Sequence, residues 1–204
     1  MYVIEQLSHP FGYQMEAFLI STGVVALAEI GDKTQLLALV LAARFRAPVP
    51  IILGMLASTV VNHLMAGVVG HFLTTFLTPT ILSWILVVSF LAMAIWILIP
   101  DKLEDEENNS FMRKFGPFLT TFIAFFLAEM GDKTQIATVM LAAQYQSLLW
   151  VVLGTTVGMM IANVPAVLIG NFSANRLPLR AIHIAASLLF IIMAGFAAYN
   201  ALTL

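Results

Sequence analysis

Six apolar runs divide this chain, at approximately 14–43, 48–70, 80–99, 117–143, 147–170 and 181–203. Each is at least about 20 residues long, the length needed to cross a hydrocarbon core of roughly 30 Å. Lipid cannot hydrogen-bond a bare peptide group, so segments of this kind cross as helices. Composition agrees. Of 204 residues, 61% are hydrophobic and only 10% are charged, against about 25% charged in an average soluble domain. The expected fold is therefore an all-α membrane protein with six transmembrane helices. Cysteine is absent, which excludes a disulfide framework and a thiolate metal site. The N-terminal segment holds Glu5, His9 and Pro10 and no basic residue, so it does not read as a cleaved signal peptide. The first span is expected to act as its own insertion signal.

Basic residues orient the spans. Arg44, Arg46, Lys102, Arg113, Lys114, Arg176 and Arg180 all fall in connections on one side of the membrane, and the opposite side has none. Basic loops stay cytoplasmic, so both termini are expected outside, on the periplasmic face of a cell (inner) membrane. Tyr13, Trp84, Tyr145, Trp150 and Tyr199 fall near span ends on the outer side and Trp96 near an inner end, where amphipathic rings favour the headgroups.

The chain also repeats itself. Residues 27–35 read LAEIGDKTQ and residues 127–135 read LAEMGDKTQ. The same offset relates Ala42-Ala43 to Ala142-Ala143, Leu53-Gly54 to Leu153-Gly154, Gly70 to Gly170, Phe72 to Phe172, Phe90 to Phe190 and Met93 to Met193. The expected organisation is a first three-helix repeat at 1–100, a polar cytoplasmic linker at 101–116, and a second three-helix repeat at 117–204. Three is odd, so the second half enters from the opposite face. That makes two inverted repeats, an arrangement in which transporters place the substrate near the midplane between the halves.

Spans 2 and 5 carry a small or polar residue at every fourth position: Gly54, Ser58, Asn62, Ala66, Gly70, and Gly154, Gly158, Ala162, Ala166, Gly170. Such a strip lets helix backbones approach closely. Asn62, and His63 with its counterpart Asn163, are polar at depth and are expected to face protein or water. They either line a cavity shared with the repeated motif or hydrogen-bond between spans. Pro165 is expected to kink span 5 or loosen its hydrogen bonds.

Each motif starts roughly 22 Å into its span at 1.5 Å per residue, near mid-membrane. On the helix expected there, Glu29, Asp32 and Lys33 share about one face, as do Glu129, Asp132 and Lys133. Gln35 and Gln135 extend the set, Thr34 and Thr134 add hydroxyls, and Gly31 leaves room for close approach. An ionised group at this depth costs on the order of 3 kcal/mol or more. Two structural ion pairs would explain two carboxylates and two lysines, but not four carboxylates. Four negative and two positive charges leave −2, which one divalent cation or two protons would cancel. The candidate metal ligands are Glu29, Asp32, Glu129 and Asp132, with Lys33 and Lys133 as counter-charges. Hard oxygen donors suit Mn²⁺ and Ca²⁺ rather than copper or structural zinc, and Mg²⁺ dehydrates reluctantly. His63 is a single nitrogen donor in the direction of a transition metal, and from chemistry alone Mn²⁺ and Ca²⁺ remain tied. No GxxxxGK[ST] phosphate loop is present, so export would need an ion gradient, with H⁺ the simplest partner, whereas uncoupled uptake would need none and the direction stays open. No cofactor and no nucleic-acid partner is expected.

Two copies of Glu-x-Gly-Asp-(Lys/Arg)-(Thr/Ser), one per half, resemble the signature of the Golgi-type calcium/manganese–proton exchanger family. Here they are Glu29-Ile30-Gly31-Asp32-Lys33-Thr34 and Glu129-Met130-Gly131-Asp132-Lys133-Thr134, and the resemblance covers the whole chain. It implies a cation/H⁺ antiporter with these acidic residues at the ion site, and Mn²⁺ efflux as the task, with Ca²⁺ as the alternative ion. Two other classes compete: an intramembrane lipid-phosphate hydrolase, and a structural or chaperone-like membrane subunit. Phosphate chemistry usually recruits an Arg clamp, and every Arg lies away from the motifs. A structural subunit would tolerate loss of Glu29.

Overall fold

The computed structural model describes residues 10–99, 115–169 and 179–203. Within them the backbone is helical: α1 Pro10–Glu29, α2 Lys33–Phe45, α3 Pro48–Phe76, α4 Pro79–Trp96, α5 Pro117–Glu129, α6 Lys133–Tyr145, α7 Leu148–Ile169 and α8 Leu179–Thr203. The 101–110 linker, with Lys102, lies outside the described residues, as do Arg113, Lys114, Gly170, Phe172 and Arg176. Arg44, Arg46 and Arg180 are exposed.

Local chemistry sets several boundaries. Pro48, Pro79 and Pro117 stand in the first turns of α3, α4 and α5, where a missing N–H costs no helical bond. α2 and α6 each end in a left-handed residue, Arg46 (φ 50°) and Gln146 (φ 49°). The N–H groups of these two residues cap the carbonyls of Ala42 and Ala142 at 3.0 Å in both cases. Residues one hundred positions apart thus take the same backbone conformation.

Among the described residues, five helices are long and apolar enough to cross a membrane: Phe11–Glu29, Pro48–Phe76, Pro79–Trp96, Leu148–Leu168 and His183–Thr203. The expectation of an unbroken helix through each motif is corrected. The first run stops at Glu29 and restarts at Lys33; the fourth is divided between α5 and α6, of 13 residues each. Neither α5 nor α6 alone reaches the roughly 20 residues a crossing needs.

Packing crosses between the halves. α1 lies along α7, α5 lies along α3, and α4 lies along α8. The small-residue strips make this possible. A Cβ added to Gly154 would stand 2.5 Å from the Phe18 carbonyl oxygen and 3.0 Å from Ser21 Cβ. At Gly54 the equivalent atoms are the Phe118 carbonyl oxygen, at 2.6 Å, and Thr121 Cβ, at 3.0 Å. Phe90 of α4 meets Phe190 of α8 with ring centroids 6.3 Å apart, and the Ser187 hydroxyl donates to the Ala94 carbonyl at 2.8 Å. Outside this core, Val88, Ile95, Leu188 and Ile192 are exposed. In a soluble protein such a surface would be a liability; here it is the face that meets lipid.

Pro165 does not interrupt α7. Its missing N–H releases the Ile161 carbonyl, four residues earlier; the neighbouring Ala162 oxygen accepts a bond from Gln35 Nε2 at 3.0 Å.

A branched side chain in the strip has nowhere to go. At Gly158 a Cβ would stand 2.5 Å from the Thr22 carbonyl oxygen, whereas at Gly23 it would meet nothing within 4 Å. Gly158→Val is expected to destabilise the protein by about 1–3 kcal/mol or more, and Gly23→Ala to leave it unchanged. Thermal unfolding in detergent compares the two; equal midpoints would contradict the backbone contact.

Candidate cation site

The motif builds a turn between two helices. After Glu29 closes α1, Gly31 takes φ 87°, and Asp32 then adopts an extended conformation (φ −81°, ψ 170°) as the N-cap of α2. The second copy does the same, with Gly131 at φ 75° and Asp132 at φ −80°, ψ 170°. The N–H of Asp32 bonds the Glu29 carbonyl at 3.0 Å, and that of Asp132 the Glu129 carbonyl at 3.2 Å. Gln35 Oε1 accepts from the Gly31 N–H at 3.1 Å, and Gln135 Oε1 from the Gly131 N–H at 2.6 Å. Asp132 Oδ1 accepts from the Lys133 N–H at 2.8 Å.

An Asp at the N-cap with Gln three residues on is a capping box shifted by one residue. The Gly-Asp-x-x-Gln pattern is therefore the signal by which the break was readable. The roles expected of two residue types change. Glu29 does not share a helical face with Asp32 and Lys33: it ends one helix and they begin the next. Glycine is required at the turn for its left-handed backbone; a Cβ on Gly131 would meet nothing within 4 Å, so close approach is not the reason there.

The side chains are deeply buried. Glu29, Glu129, Thr34, Thr134, Asn62, His63 and Asn163 are 0% exposed, and Asp32, Asp132 and Lys133 are 4–5% exposed. Lys33 is the exception, with 34% of its side chain exposed. Packing brings the two motifs together. Glu29 lies within electrostatic reach of Glu129, Asp32 and Asp132. Lys33 Nζ lies 3.6 Å from Asp132 Oδ2, so this lysine faces the aspartate of the other copy rather than its own, as the sequence pattern had suggested. Lys133 Nζ donates to the Ile99 carbonyl at 3.0 Å.

The span 2 and span 5 residues are also drawn in. Asn163 Nδ2 donates to Glu29 Oε1 at 3.2 Å and to the Met159 carbonyl at 3.2 Å. Asn62 Nδ2 donates to the Phe126 carbonyl at 3.1 Å. The Thr134 hydroxyl donates to Glu129 Oε2 at 2.8 Å. What remains is a surplus of acceptors. Glu29 Oε2, Glu129 Oε1, Asn62 Oδ1 and Asn163 Oδ1 are buried with no hydrogen-bond partner among the described residues. Buried acceptors of this kind call for a proton or a cation. The helix ends act in the same sense, because Glu29 and Glu129 sit at C-termini, where backbone carbonyls already bias the potential negative. Among the described residues, however, no three carboxylate or imidazole groups form a preformed metal cluster. The four carboxylates are neighbours in a shared field rather than a closed cage.

One neighbour of the motif has no repeat signal in the sequence. His183 Nε2 lies 3.2 Å from the Ile30 carbonyl, inside the first break. The residue is near the start of α8, more than 150 positions away, and packing alone places it there.

A multi-span helical protein with paired buried carboxylates at interrupted helices belongs to the class of ion transporters. Comparison with known proteins makes this specific. The profile of the family described as "Divalent cation/proton antiporter GDT1" matches residues 17–105 and 117–204, and the chain belongs to that family. A Vibrio cholerae protein assigned as a manganese exporter is 55% identical over 91% of this chain and 92% of its own length. The divalent cation/proton antiporter GDT1 of Saccharomyces cerevisiae is 27% identical, covering 93% of this chain and 85% of the yeast protein. A GDT1-like protein of Synechocystis is 29% identical over 88% of this chain. No solved structure matches the chain at a significant level.

Gly131→Ala places a Cβ in left-handed backbone and is expected to cost about 1–2 kcal/mol. Gly131→Asn should cost less, since Asn tolerates this region. Unfolding midpoints in detergent rank the three proteins; a midpoint for Gly131→Ala at or above that of the parent would refute the backbone argument.

Proposed function

We propose that this protein is a Mn²⁺/H⁺ antiporter that exports Mn²⁺ from the cytoplasm, with Glu29, Asp32, Glu129 and Asp132 forming the ion site. The observation that carries the reading is the pair of fully buried glutamates, each with one oxygen lacking a partner among the described residues. The family is one of divalent cation/proton antiporters, and the Vibrio cholerae relative supports manganese as the ion.

In this reading the chain crosses the membrane six times, α1–α2 and α5–α6 each forming one interrupted span. Residues 1–100 and 117–204 are inverted repeats joined by the linker at 101–116. Their shared backbone conformations at Gly31 and Gly131, and at Arg46 and Gln146, support that relation. The basic connections face the cytoplasm and both termini face outward.

The site alternates between one Mn²⁺ and two protons. Either load brings four carboxylates and two lysines from −2 to neutrality, so neither form strands net charge at mid-membrane. Glu29 and Glu129 are the central ligands, and Asp32 and Asp132 approach as the halves rock. Asn62, Asn163, Thr34 and Thr134 complete the oxygen set. Lys33 spans the halves to Asp132 and Lys133 spans them to the Ile99 carbonyl, and the two hold the ion-free form together. Gln35 and Gln135 brace the turns that aim the glutamates. Moving a divalent cation out against 100 mV costs about 4.6 kcal/mol, which inward proton flow repays. Ca²⁺ is the second ion compatible with an oxygen-rich site.

Glu29→Gln and Glu129→Gln are each expected to reduce Mn²⁺ flux in proteoliposomes to the level of empty vesicles, with the purified variants still monodisperse and helical. A pH dye inside vesicles of the parent protein should respond when a Mn²⁺ gradient is imposed. Mn²⁺ flux retained in both variants would remove the glutamates from the site, and Mn²⁺ movement with a silent dye would rule out proton exchange.

A further inference from the structure

We infer that His63 contributes an imidazole nitrogen to the transported ion from the Glu129 side, and that this nitrogen is what favours Mn²⁺ over Ca²⁺. The inference deepens the reading of a cation site between the motifs and rests on it.

The two halves match in register. α7 meets α1 through Gly154 on Phe18 and Ser21; α3 meets α5 through Gly54 on Phe118 and Thr121. Nine residues beyond those glycines come Asn163 and His63; eleven beyond Phe18 and Phe118 come Glu29 and Glu129. On one side the outcome is explicit, since Asn163 Nδ2 donates to Glu29 Oε1 at 3.2 Å. The same register carries His63 to the neighbourhood of Glu129. A separate contact agrees: Asn62 Nδ2 bonds the Phe126 carbonyl at 3.1 Å, three residues before Glu129, so this turn of α3 lies against the end of α5.

His63 has no structural partner to explain it. The ring is 0% exposed, and both of its nitrogens lack a hydrogen bond among the described residues. A buried neutral imidazole always carries one donor and one acceptor, and leaving both unmet is costly. In the matching place, Asn163 turns its amide N–H to Glu29. The two half-sites are therefore chemically unequal. Each offers a carboxylate, a hydroxyl and an amide oxygen; the Glu129 side adds an imidazole. Nitrogen donors suit first-row transition metals, while Ca²⁺ takes oxygen ligands almost exclusively.

The direct test is pulsed electron paramagnetic resonance of the purified full-length protein loaded with Mn²⁺ alone. Modulation from a directly bound ¹⁴N is expected in the parent protein and should vanish in His63→Asn. Asn copies the residue of the other half, so this variant is expected to fold. In reconstituted vesicles, the Ca²⁺ concentration that halves Mn²⁺ flux should fall by at least about tenfold in His63→Asn; His63→Gln serves if the first variant is not monodisperse. Mn²⁺ bound and transported by the parent without ¹⁴N modulation would overturn the inference and leave the carboxylate site standing. So would an unchanged Ca²⁺ competition, or ¹⁴N modulation that persists in a folded His63→Asn. A parent protein that neither binds nor moves Mn²⁺ would instead overturn the proposed function itself.

Discussion

Everything in this structure turns on keeping two helix breaks viable at membrane depth. A backbone interruption in lipid exposes peptide groups that nothing can satisfy. Here each break is closed from within, by the glutamine that accepts from the preceding glycine N–H and the turn bond back to the glutamate carbonyl, and in the second copy also by the Asp132 carboxylate on the Lys133 N–H. Self-capping frees the glutamates from backbone duty. Each carboxylate stands at the C-terminus of its helix, where backbone carbonyls bias the potential negative.

The halves depend on each other for this geometry. Each first helix docks on the middle helix of the other half, along a glycine strip that removes the bulk between backbones. The same docking delivers Asn163 to Glu29 and Lys33 to Asp132. Packing and site are thus one device. A change in how α1 lies on α7 necessarily changes what surrounds Glu29. In the proposed exchange cycle, rocking of one half against the other opens the path and alters the field at the carboxylates in the same motion.

Near-identity of the motifs does not make the half-sites identical. Pro165 stands in α7 where Met65 stands in α3, and the Ala162 carbonyl one turn earlier is taken by Gln35. Asn163 and His63 occupy matching places with different donors. Lys33 is partly exposed and faces the opposite motif, while Lys133 is buried and bonded to the Ile99 carbonyl. Duplication repeats the frame, and single substitutions within it make the surroundings of the two glutamates different.

Much of this was legible in the chain alone. Apolar run length sets a helical membrane protein, because lipid leaves the backbone no other choice. The offset of one hundred residues names Glu29, Asp32, Glu129 and Asp132, since charge at that depth needs a reason. The Gly-Asp-x-x-Gln capping pattern was readable too, although apolar periodicity runs through it and favours a continuous helix. Only the tertiary structure decided the partners. Lys33 reaches across to Asp132, Gln35 reaches a carbonyl of α7, and His183 reaches the first turn from α8, because these contacts join positions far apart in sequence. Sequence spacing governs what meets along one helix; what meets between helices depends on how closely two backbones can approach.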